Sequence, residues 1–258
     1  MAKIKTKEEI EILREGGRRL ALVLNKLVEA SKPGVSSADL DKIAYEMITK
    51  EGDKPSFLGY KGKHDKEPYP ASICVSVNDE VVHGEPTVNP RILKEGDIVS
   101  LDAGLIHKGL FLDSAVTVAV GKIDKDSEQL LKVTKASLQK GIEAARIGAT
   151  TGDIGFAIQE YVKSAAADYG IIRELAGHGV GHAVHEDPFI PNFGEKGKGV
   201  KLEAGMVIAI EPMLNGGSEK IYLASDGHTY KTKDGKRSAH FEHTVAITEK
   251  GAEILTKM

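Results

Sequence analysis

Four acidic residues stand in segments whose other side chains are mostly apolar. Asp102 and Asp113 interrupt two neighbouring runs rich in leucine and valine, and Glu211 and Glu242 interrupt two later runs. One such carboxylate would be explained by exposure to solvent or by pairing with an arginine, because an unpaired buried charge is costly. Four in one chain favour metal binding. Four carboxylates with one neutral histidine carry four negative charges, which two divalent ions would neutralise.

The first two aspartates belong to one predicted β-hairpin. In this hairpin Ile106 pairs with Gly109 across a two-residue turn. That register places Asp102 directly opposite Asp113, with their Cβ atoms about 4.5–5.5 Å apart. Two carboxylates at that distance repel each other and lose solvation, so a bound cation or a shared proton must compensate unless one of them faces solvent.

Three of the nine histidines, His178, His182 and His185, lie within eight residues. Alternating glycines argue against a helix there and favour a strand or an extended loop. On a strand, His178 and His182 share one face and His185 lies on the other. Strand parity leaves the first two tied as metal ligands, and the glycines flanking His178 favour it because they allow close approach of neighbouring backbone.

A phosphate-binding loop does not fit this segment. Its glycines depart from the GxGxxG spacing, and the acidic pair Glu186-Asp187 would repel phosphate. For four of the histidines we expect ordinary hydrogen-bonding roles, at the surface or in the core: His64, His107, His182 and His228.

The elements that position these residues fall into two similar groups. Thr6 and Glu9 have the pattern of a capping box before a long helix. Residues 28–40 resemble residues 142–154, 114 positions later, and both indicate a helix end, a glycine turn, a hydroxyl cap and a further helix. Strand-like runs follow each helix pair, at residues 71–82, 98–119, 205–213 and 241–248. This order predicts a duplicated α+β chain with antiparallel sheet and a site in the cleft between its halves.

The sequence predicts the bounds and the buried face of the second helix. Ser36 or Ser37 caps its start, and Gly52 marks its end. Its buried face should carry three apolar residues: Leu40, Ile43 and Met47.

The composition is that of an ordinary globular protein. The chain has 258 residues, 41% of them hydrophobic and 28% charged, with a net charge of −3. This balance argues against DNA or an anionic membrane as the main partner. The N-terminus lacks the apolar run of a secretory signal, and the single cysteine, Cys74, fits a reducing compartment, so a cytoplasmic location is expected.

Six short motifs follow one another along nearly the whole chain: VVHGEP at 81–86, the hairpin of Asp102 and Asp113, GHGVG at 177–181, VHEDP at 184–188, IEPM at 210–213 and FEHT at 241–244. Together they resemble the type I methionine aminopeptidases of peptidase family M24. The resemblance implies the pita-bread fold of creatinases and aminopeptidases, an α+β arrangement of two pseudo-symmetric halves of antiparallel sheet with helices on the outside. It also implies one catalytic domain, residues 1–258, with halves of roughly 1–123 and 124–258.

The same resemblance implies the chemistry. Two divalent ions (Mn²⁺, Fe²⁺, Co²⁺ or Zn²⁺) would activate water for removal of the initiator methionine when the second residue is small and uncharged, after deformylation where the methionine is formylated. Asp102 would bind one ion, His178 and Glu211 the other, and Asp113 and Glu242 both. Glu211 would also shuttle the proton, while His185 and His83 would hold the substrate and assist the leaving amine. The partners would be N-termini of nascent chains, with transient ribosome contact by a monomer.

The methionine side chain would enter an apolar slot, for which the matching residues are Phe57, Tyr60, Tyr69 and Cys74. Three features depart from the family pattern and leave the strictness for methionine open. The segment 61–68 is longer and more charged than usual, Val184 stands where phenylalanine is common, and His228 stands where an aromatic residue is common.

Three alternatives remain. A proline-type or broader-specificity aminopeptidase shares the fold, but proline-type chains usually carry an additional N-terminal domain, for which there is no room before residue 81. Type II methionine enzymes carry an insertion between the last two glutamates, yet Glu211 and Glu242 are only 31 positions apart. A catalytically inactive relative that binds ribosomes or nucleic acid would be expected to lose ligands and gain basic surface.

Overall fold

The computed structural model describes residues 3–62, 66–165 and 168–257. His64 and part of the 61–68 segment therefore lie outside the described residues. The helices are α1 (Lys7–Ala30), α2 (Ser37–Lys50), α3 (Lys125–Ala144) and α4 (Thr151–Lys163). The strands are β1 (Lys54–Pro55), β2 (Ile73–Val77), β3 (Glu80–Val82), β4 (Ile98–His107), β5 (Leu110–Ala119), β6 (Gly170–Ile171), β7 (Gly177–Gly179), β8 (Glu186–Ile190), β9 (Val207–Ile210), β10 (Met213–Asn215), β11 (Ile221–Leu223), β12 (Tyr230–Thr232), β13 (Ser238–His240), β14 (His243–Thr248) and β15 (Gly251–Ile254). Within these ranges no helix combines the length and apolar character that crossing a bilayer requires.

The predicted helix starts are confirmed. Thr6 caps α1 by accepting from the N–H of Glu9, whose carboxylate accepts from the N–H of Thr6. Ser36 caps α2, and Gly52 follows its end with a φ of +80°. The predicted buried face of α2 is only partly right, because Leu40 is fully buried but Ala44 and Ile48 are its other most buried residues. Ile43 and Met47 are partly buried beside them.

The two helix pairs share their local hydrogen bonding. The N–H of Gly34 donates to Leu93, whose own N–H donates to the carbonyl of Val35. In the second half the N–H of Gly148 donates to Leu202, whose N–H donates to Ala149. The repeat seen in the sequence is thus a repeat of turn geometry, as expected for pseudo-symmetric halves.

The strands form four antiparallel sheets among the described residues. Strand β4 pairs with β5 along one edge and with β2 and then β1 along the other. A five-stranded sheet has the order β15-β14-β9-β7-β8, and two three-stranded sheets have the orders β13-β10-β6 and β11-β12-β3. The prediction of α+β architecture with antiparallel sheet is confirmed.

The predicted register of the β4–β5 hairpin is wrong by two residues. The turn residues are Lys108 and Gly109, with φ of +48° and +85°, which match a type I′ turn. His107 therefore pairs with Leu110, and Asp102 faces Ala115 instead of Asp113. Asp113 lies two residues from Ala115, so the two aspartates still project from the same face as diagonal neighbours, about 7–8 Å apart at Cα.

Two hydrophobic cores support the site from opposite sides. The N-terminal core joins α1 and α2 to β2, β4 and β5, and includes Leu20, Leu40 and Leu101. The C-terminal core joins α3 and α4 to β9 and β14, and includes Ile154 and Ile208. Between the cores, β5 is hydrogen-bonded to the segment 240–244, which brings carboxylates of both halves together.

Candidate metal centre

Asp113, His178 and Glu242 converge on one point, with one ligand atom of each within 4.8 Å of the others. Glu211 lies next to them, because its Oε1 is 3.5 Å from Nε2 of His178. Asp102 is close enough to Asp113 for their carboxyl groups to influence each other's pKa. The structure therefore brings together all five residues that the sequence predicts as metal ligands.

The contact between the halves places Asp113 and Glu242 side by side. The N–H of Glu242 donates to the carbonyl of Ala115 at 2.9 Å, and the Ser114 hydroxyl donates to the carbonyl of Glu242 at 2.8 Å. The N–H of Asp113 donates to the hydroxyl of Thr244 at 3.1 Å. These bonds fix the two backbone segments that carry the carboxylates, so the side chains of Asp113 and Glu242 are held close to each other.

The imidazole of His178 is oriented by a backbone hydrogen bond. Its Nδ1 lies 2.9 Å from the carbonyl oxygen of Gly179, which can only accept, so Nδ1 is the donor in this bond. Nε2 is the ring nitrogen that faces the carboxylates, and it is the atom through which this histidine would bind a metal.

The glycines around His178 are required by close packing. A Cβ at Gly177 would lie 2.3 Å from the carbonyl oxygen of Ala209, and one at Gly179 would lie 2.2 Å from that of Asp187. This observation supports the inference that the flanking glycines allow backbone to crowd around His178.

Burial and mutual repulsion dominate the electrostatics of the carboxylates. Burial, assisted by the charge of Glu211 and opposed by that of His240, raises the pKa of Asp102 to about 6. Burial first, and then neighbouring negative charges, raise the pKa of Asp113 and Glu242 well above the usual range. Burial acts on Glu211 in the same direction, but His240, His178 and His185 together hold its pKa below the ordinary value.

The donor set fits a divalent cation. Among the described residues, Oδ1 of Asp102, Oδ1 of Asp113 and Oε1 of Glu242 are buried without a hydrogen-bond partner. Buried carboxylate oxygens are normally satisfied, and three unsatisfied ones in one acidic cluster are what a bound cation would satisfy. Carboxylates with one imidazole are ligands that suit first-row divalent metals.

His185 stands beside the cluster. Its ring centroid is 4.4 Å from that of His178 in an edge-on arrangement, and its Nδ1 lies 2.7 Å from the Tyr60 hydroxyl. His83 directly follows β3 and has a φ of +57°, a backbone conformation that few residues other than glycine adopt. The His83 ring lies 5.9 Å from that of Tyr230, and the His83 carbonyl accepts from the hydroxyl of Thr229.

A small apolar cluster adjoins the carboxylates and contains the four residues that were predicted to line the slot. Its buried members are Phe57, Tyr69, Ala71, Cys74 and Val184, and Tyr60 and Phe111 pack against it. Cys74 pairs with Asp102 across β2 and β4, which sets the apolar cluster directly beside the acidic one. The ring of His228 packs edge-on against Tyr69, with centroids 5.4 Å apart.

The chain also has full-length relatives. Residues 11–249 match metallopeptidase family M24. The methionine aminopeptidase of Clostridium acetobutylicum is 48% identical over 253 residues, 98% of each chain. The crystal structure of the methionine aminopeptidase of Thermotoga maritima superposes with a TM-score of 0.94 at 44% identity and covers 100% of both chains.

The chain belongs to metallopeptidase family M24. Its relatives place it among the methionine aminopeptidases, and its fold is the pita-bread fold. A prolidase from Pyrococcus furiosus shares this fold at a TM-score of 0.75 and 24% identity, but only 65% of that longer chain is covered.

Within this M24 chain, the strand-parity prediction for the histidines is wrong. Strand β7 ends at Gly179, and Gly181 has a φ of +133°, so the backbone reverses before residue 185. As a result His178 and His185 lie together, whereas His182 turns away and places its Nε2 2.7 Å from Oε1 of Glu9. The expectation of an ordinary polar role for His182 agrees with this contact.

One residue of the M24 site, His240, was not singled out from the sequence. It ends β13, is only 2% exposed, and places Nε2 3.4 Å from Oε2 of Glu211. Its position two residues before Glu242 is the signal that the sequence offers, since side chains at i and i+2 share a face in extended backbone. His107 instead pairs with Asp53 at 2.8 Å, as expected for a core histidine.

Proposed function

We propose that the protein is a metal-dependent aminopeptidase that removes the initiator methionine from nascent polypeptides. The second residue of the substrate is small and uncharged, and deformylation comes first where the methionine is formylated. The observation that carries this proposal is the convergence of unsatisfied buried carboxylates on His178 directly beside an apolar cluster. The methionine aminopeptidases that match the chain over its full length support the same reaction.

The proposed metal centre would hold two divalent ions. Asp102 would hold one, His178 and Glu211 would hold the other, and Asp113 and Glu242 would contribute to both. Bound there, the ions would polarise the carbonyl of the first peptide bond and lower the pKa of water. The acidic ligands balance the charge of two such ions, and Mn²⁺, Fe²⁺, Co²⁺ and Zn²⁺ are all compatible with this donor set.

Glu211 is proposed to move the proton. Its Oε1 faces His178, and neighbouring histidines hold the pKa of its carboxyl below the ordinary value, so it is ionised and able to accept a proton at neutral pH. A carboxylate fixed at this point can take the proton from the attacking water and deliver it to the leaving amine.

His185 and His83 are proposed to hold the peptide. His185 stands at the edge of the metal cluster in contact with the Tyr60 hydroxyl, where an N–H can stabilise the oxyanion of the tetrahedral intermediate. His83 would hydrogen-bond the scissile amide and assist the leaving amine. Its left-handed backbone conformation is strained, and such strain is tolerated where the orientation of a side chain is needed for function.

The apolar cluster is proposed to receive the methionine side chain. Phe57, Tyr69 and Cys74 form its buried wall, and Tyr60 stands at its rim. The N–H of Tyr69 donates to the carbonyl of Tyr60 at 2.8 Å, so the two residues that flank the segment 61–68 are held together beside the slot. Val184 is smaller than the phenylalanine that is common at its position, and His228 is more polar than the usual aromatic residue. Both differences would let the slot accept side chains other than methionine.

The chain is proposed to act as one catalytic domain, residues 1–258, with halves of roughly 1–123 and 124–258. We expect a cytoplasmic monomer that meets its substrates during brief contact with the ribosome and has no DNA or membrane partner. The free, buried thiol of Cys74 is consistent with a reducing compartment.

The experiment that tests this function is a peptide assay with cobalt- or manganese-loaded protein. Peptides beginning Met-Gly, Met-Ala, Met-Lys and Leu-Gly should separate the preference for methionine at the first position from the preference for a small second residue. We expect rapid cleavage of the first two, slow cleavage of Met-Lys and little of Leu-Gly, with activity abolished by Glu211→Ala. Equal cleavage of Leu-Gly would contradict methionine specificity, and full activity of the Glu211→Ala protein would overturn the site.

A further inference from the structure

The geometry points to His240 as a positioning residue that fixes the orientation of the Glu211 carboxylate by donating a hydrogen bond from Nε2 to Oε2. The inference rests on the proposed function. It adds a residue outside the five proposed ligands and the two proposed substrate-binding histidines.

The first observation is the placement of Glu211 between two imidazoles. Oε1 lies 3.5 Å from Nε2 of His178, and Oε2 lies 3.4 Å from Nε2 of His240. Each oxygen of the carboxylate therefore faces a different ring. A donor on one oxygen holds the plane of the carboxylate, so that the other oxygen stays directed at the metal cluster.

The second observation is that the His240 ring lacks other partners. Among the described residues neither of its ring nitrogens makes a hydrogen bond of normal geometry, although the side chain is only 2% exposed. A buried imidazole without a partner costs free energy, and the short movement needed to bring Nε2 to Oε2 would satisfy it.

The backbone of His240 is held so that only its side chain can make this adjustment. Its N–H donates to the hydroxyl of Thr117, and the same hydroxyl donates to the His240 carbonyl, both at 2.8 Å. The carbonyl of Glu211 is likewise fixed by the side-chain amide of Asn192 at 3.0 Å. Two fixed backbones define the distance that the histidine and glutamate side chains must bridge.

A role as a metal ligand fits the arrangement less well than a positioning role. His178 faces Oε1 of Glu211 and is one of the three residues whose ligand atoms converge, whereas Nε2 of His240 faces the other oxygen, Oε2. Groups that orient a ligand in this way typically contribute about 10- to 100-fold to metal affinity or activity.

The test compares three substitutions at position 240 in the full chain. His240→Leu keeps an apolar volume but has no donor, His240→Gln keeps an amide donor of similar reach, and His240→Asn has a donor that is one methylene too short. His243→Leu is the matched control, because it removes another buried histidine whose Nδ1 contacts Thr256 instead of Glu211. Cobalt affinity is measured by calorimetry, the ligand field by the visible spectrum of the cobalt protein, and kcat and KM with a Met-Gly peptide.

We expect His240→Leu and His240→Asn to weaken cobalt binding about 10- to 100-fold, to alter the cobalt spectrum and to lower kcat more than KM. His240→Gln should recover most of the affinity and the parental spectrum, and His243→Leu should retain both. Parental affinity and spectrum in the Leu and Asn proteins would overturn the role. So would a folded Gln protein as impaired as the Asn protein. If the parent binds cobalt but cleaves no Met-Gly peptide, the proposed function fails while affinity and spectrum still decide the role of His240.

Discussion

Lys5 and Glu186 form an ion pair of 2.7 Å between Nζ and Oε2, with side chains only 1% and 3% exposed. The other oxygen of Glu186 accepts from the N–H groups of His182 and Ala183. Glu186 directly follows His185 in the chain. The pair therefore ties the loop that carries a proposed substrate-binding histidine to the segment preceding α1.

Lys5→Met should destabilise the protein strongly. It leaves the Glu186 carboxylate buried without its partner, and breaking a buried pair in this way typically costs about 3–5 kcal/mol. The double variant Lys5→Met/Glu186→Gln should be more stable than Lys5→Met, because it removes the stranded charge. Denaturant unfolding at neutral pH measures both effects. Exposed Lys7 provides the control Lys7→Met, and a similar loss in the control would show that the buried pair is unimportant.

The same pair should affect how the free energy of unfolding changes at acidic pH. Burial acts to raise the pKa of Glu186, but Lys5 and the two loop N–H groups outweigh it and hold the pKa below 4.5. A carboxyl with a depressed pKa in the folded state stabilises the protein above its unfolded pKa, and this stability is lost as pH falls through the folded value. Stability measured from pH 6 to pH 3 should therefore fall less steeply for Glu186→Gln than for the parent. Parallel curves would contradict this linkage.

His185 and His182 allow a paired test within one loop. His185→Ala should lower kcat/KM for a Met-Gly peptide by about 100-fold or more, the typical effect of removing one oxyanion donor. His182→Ala should remain close to the parent in kcat/KM, because its ring contacts Glu9 on the surface of α1. Cobalt calorimetry on both variants controls for metal loss. Equal losses of activity would mean that the loop, rather than the His185 side chain, is what matters.

The acidic cluster was predictable from the sequence because each of its carboxylates contradicts its surroundings. Asp102 and Asp113 interrupt strands that are buried on both sides, and no local preference explains a carboxylate there. The register error changed their facing partners but not their shared face, since the shift amounted to two residues. Gly109 carried the missing information, because a left-handed glycine belongs in the second position of a two-residue turn.

Other features could not be read from the sequence for physical reasons. The left-handed backbone at Gly181 breaks the strand alternation on which the assignment of histidine faces depended. The Lys5–Glu186 pair spans 181 positions, and no local pattern encodes a contact at that separation. His240 resembles any histidine at a strand end until the backbone of Glu211 is placed beside it.

Val184→Ala should relax the selectivity of the slot. Val184 is buried against the apolar cluster, and deleting two methyl groups removes contacts with a bound methionine side chain. In a hydrophobic pocket such a change is worth about 1–3 kcal/mol, so the preference for Met-Gly over Leu-Gly should fall at least severalfold. Exposed Val200 supplies the control Val200→Ala. An unchanged ratio of kcat/KM for the two peptides would place Val184 outside the slot.

Glu242→Gln should have opposite effects on the metal-free and metal-loaded protein. Burial and the charges of Asp113, Glu211 and Asp102 raise the pKa of Glu242, so its ionised form destabilises the metal-free fold and a neutral amide should relieve that cost. A metal at 100 times its Kd stabilises a protein by about 2.7 kcal/mol, and the variant should lose most of this gain because a bridging oxygen is missing. Thermal unfolding with chelator and with manganese gives both quantities, with exposed Glu203→Gln as the control. A Glu242→Gln protein that is less stable than the parent in chelator and fully stabilised by manganese would exclude Glu242 from the metal centre.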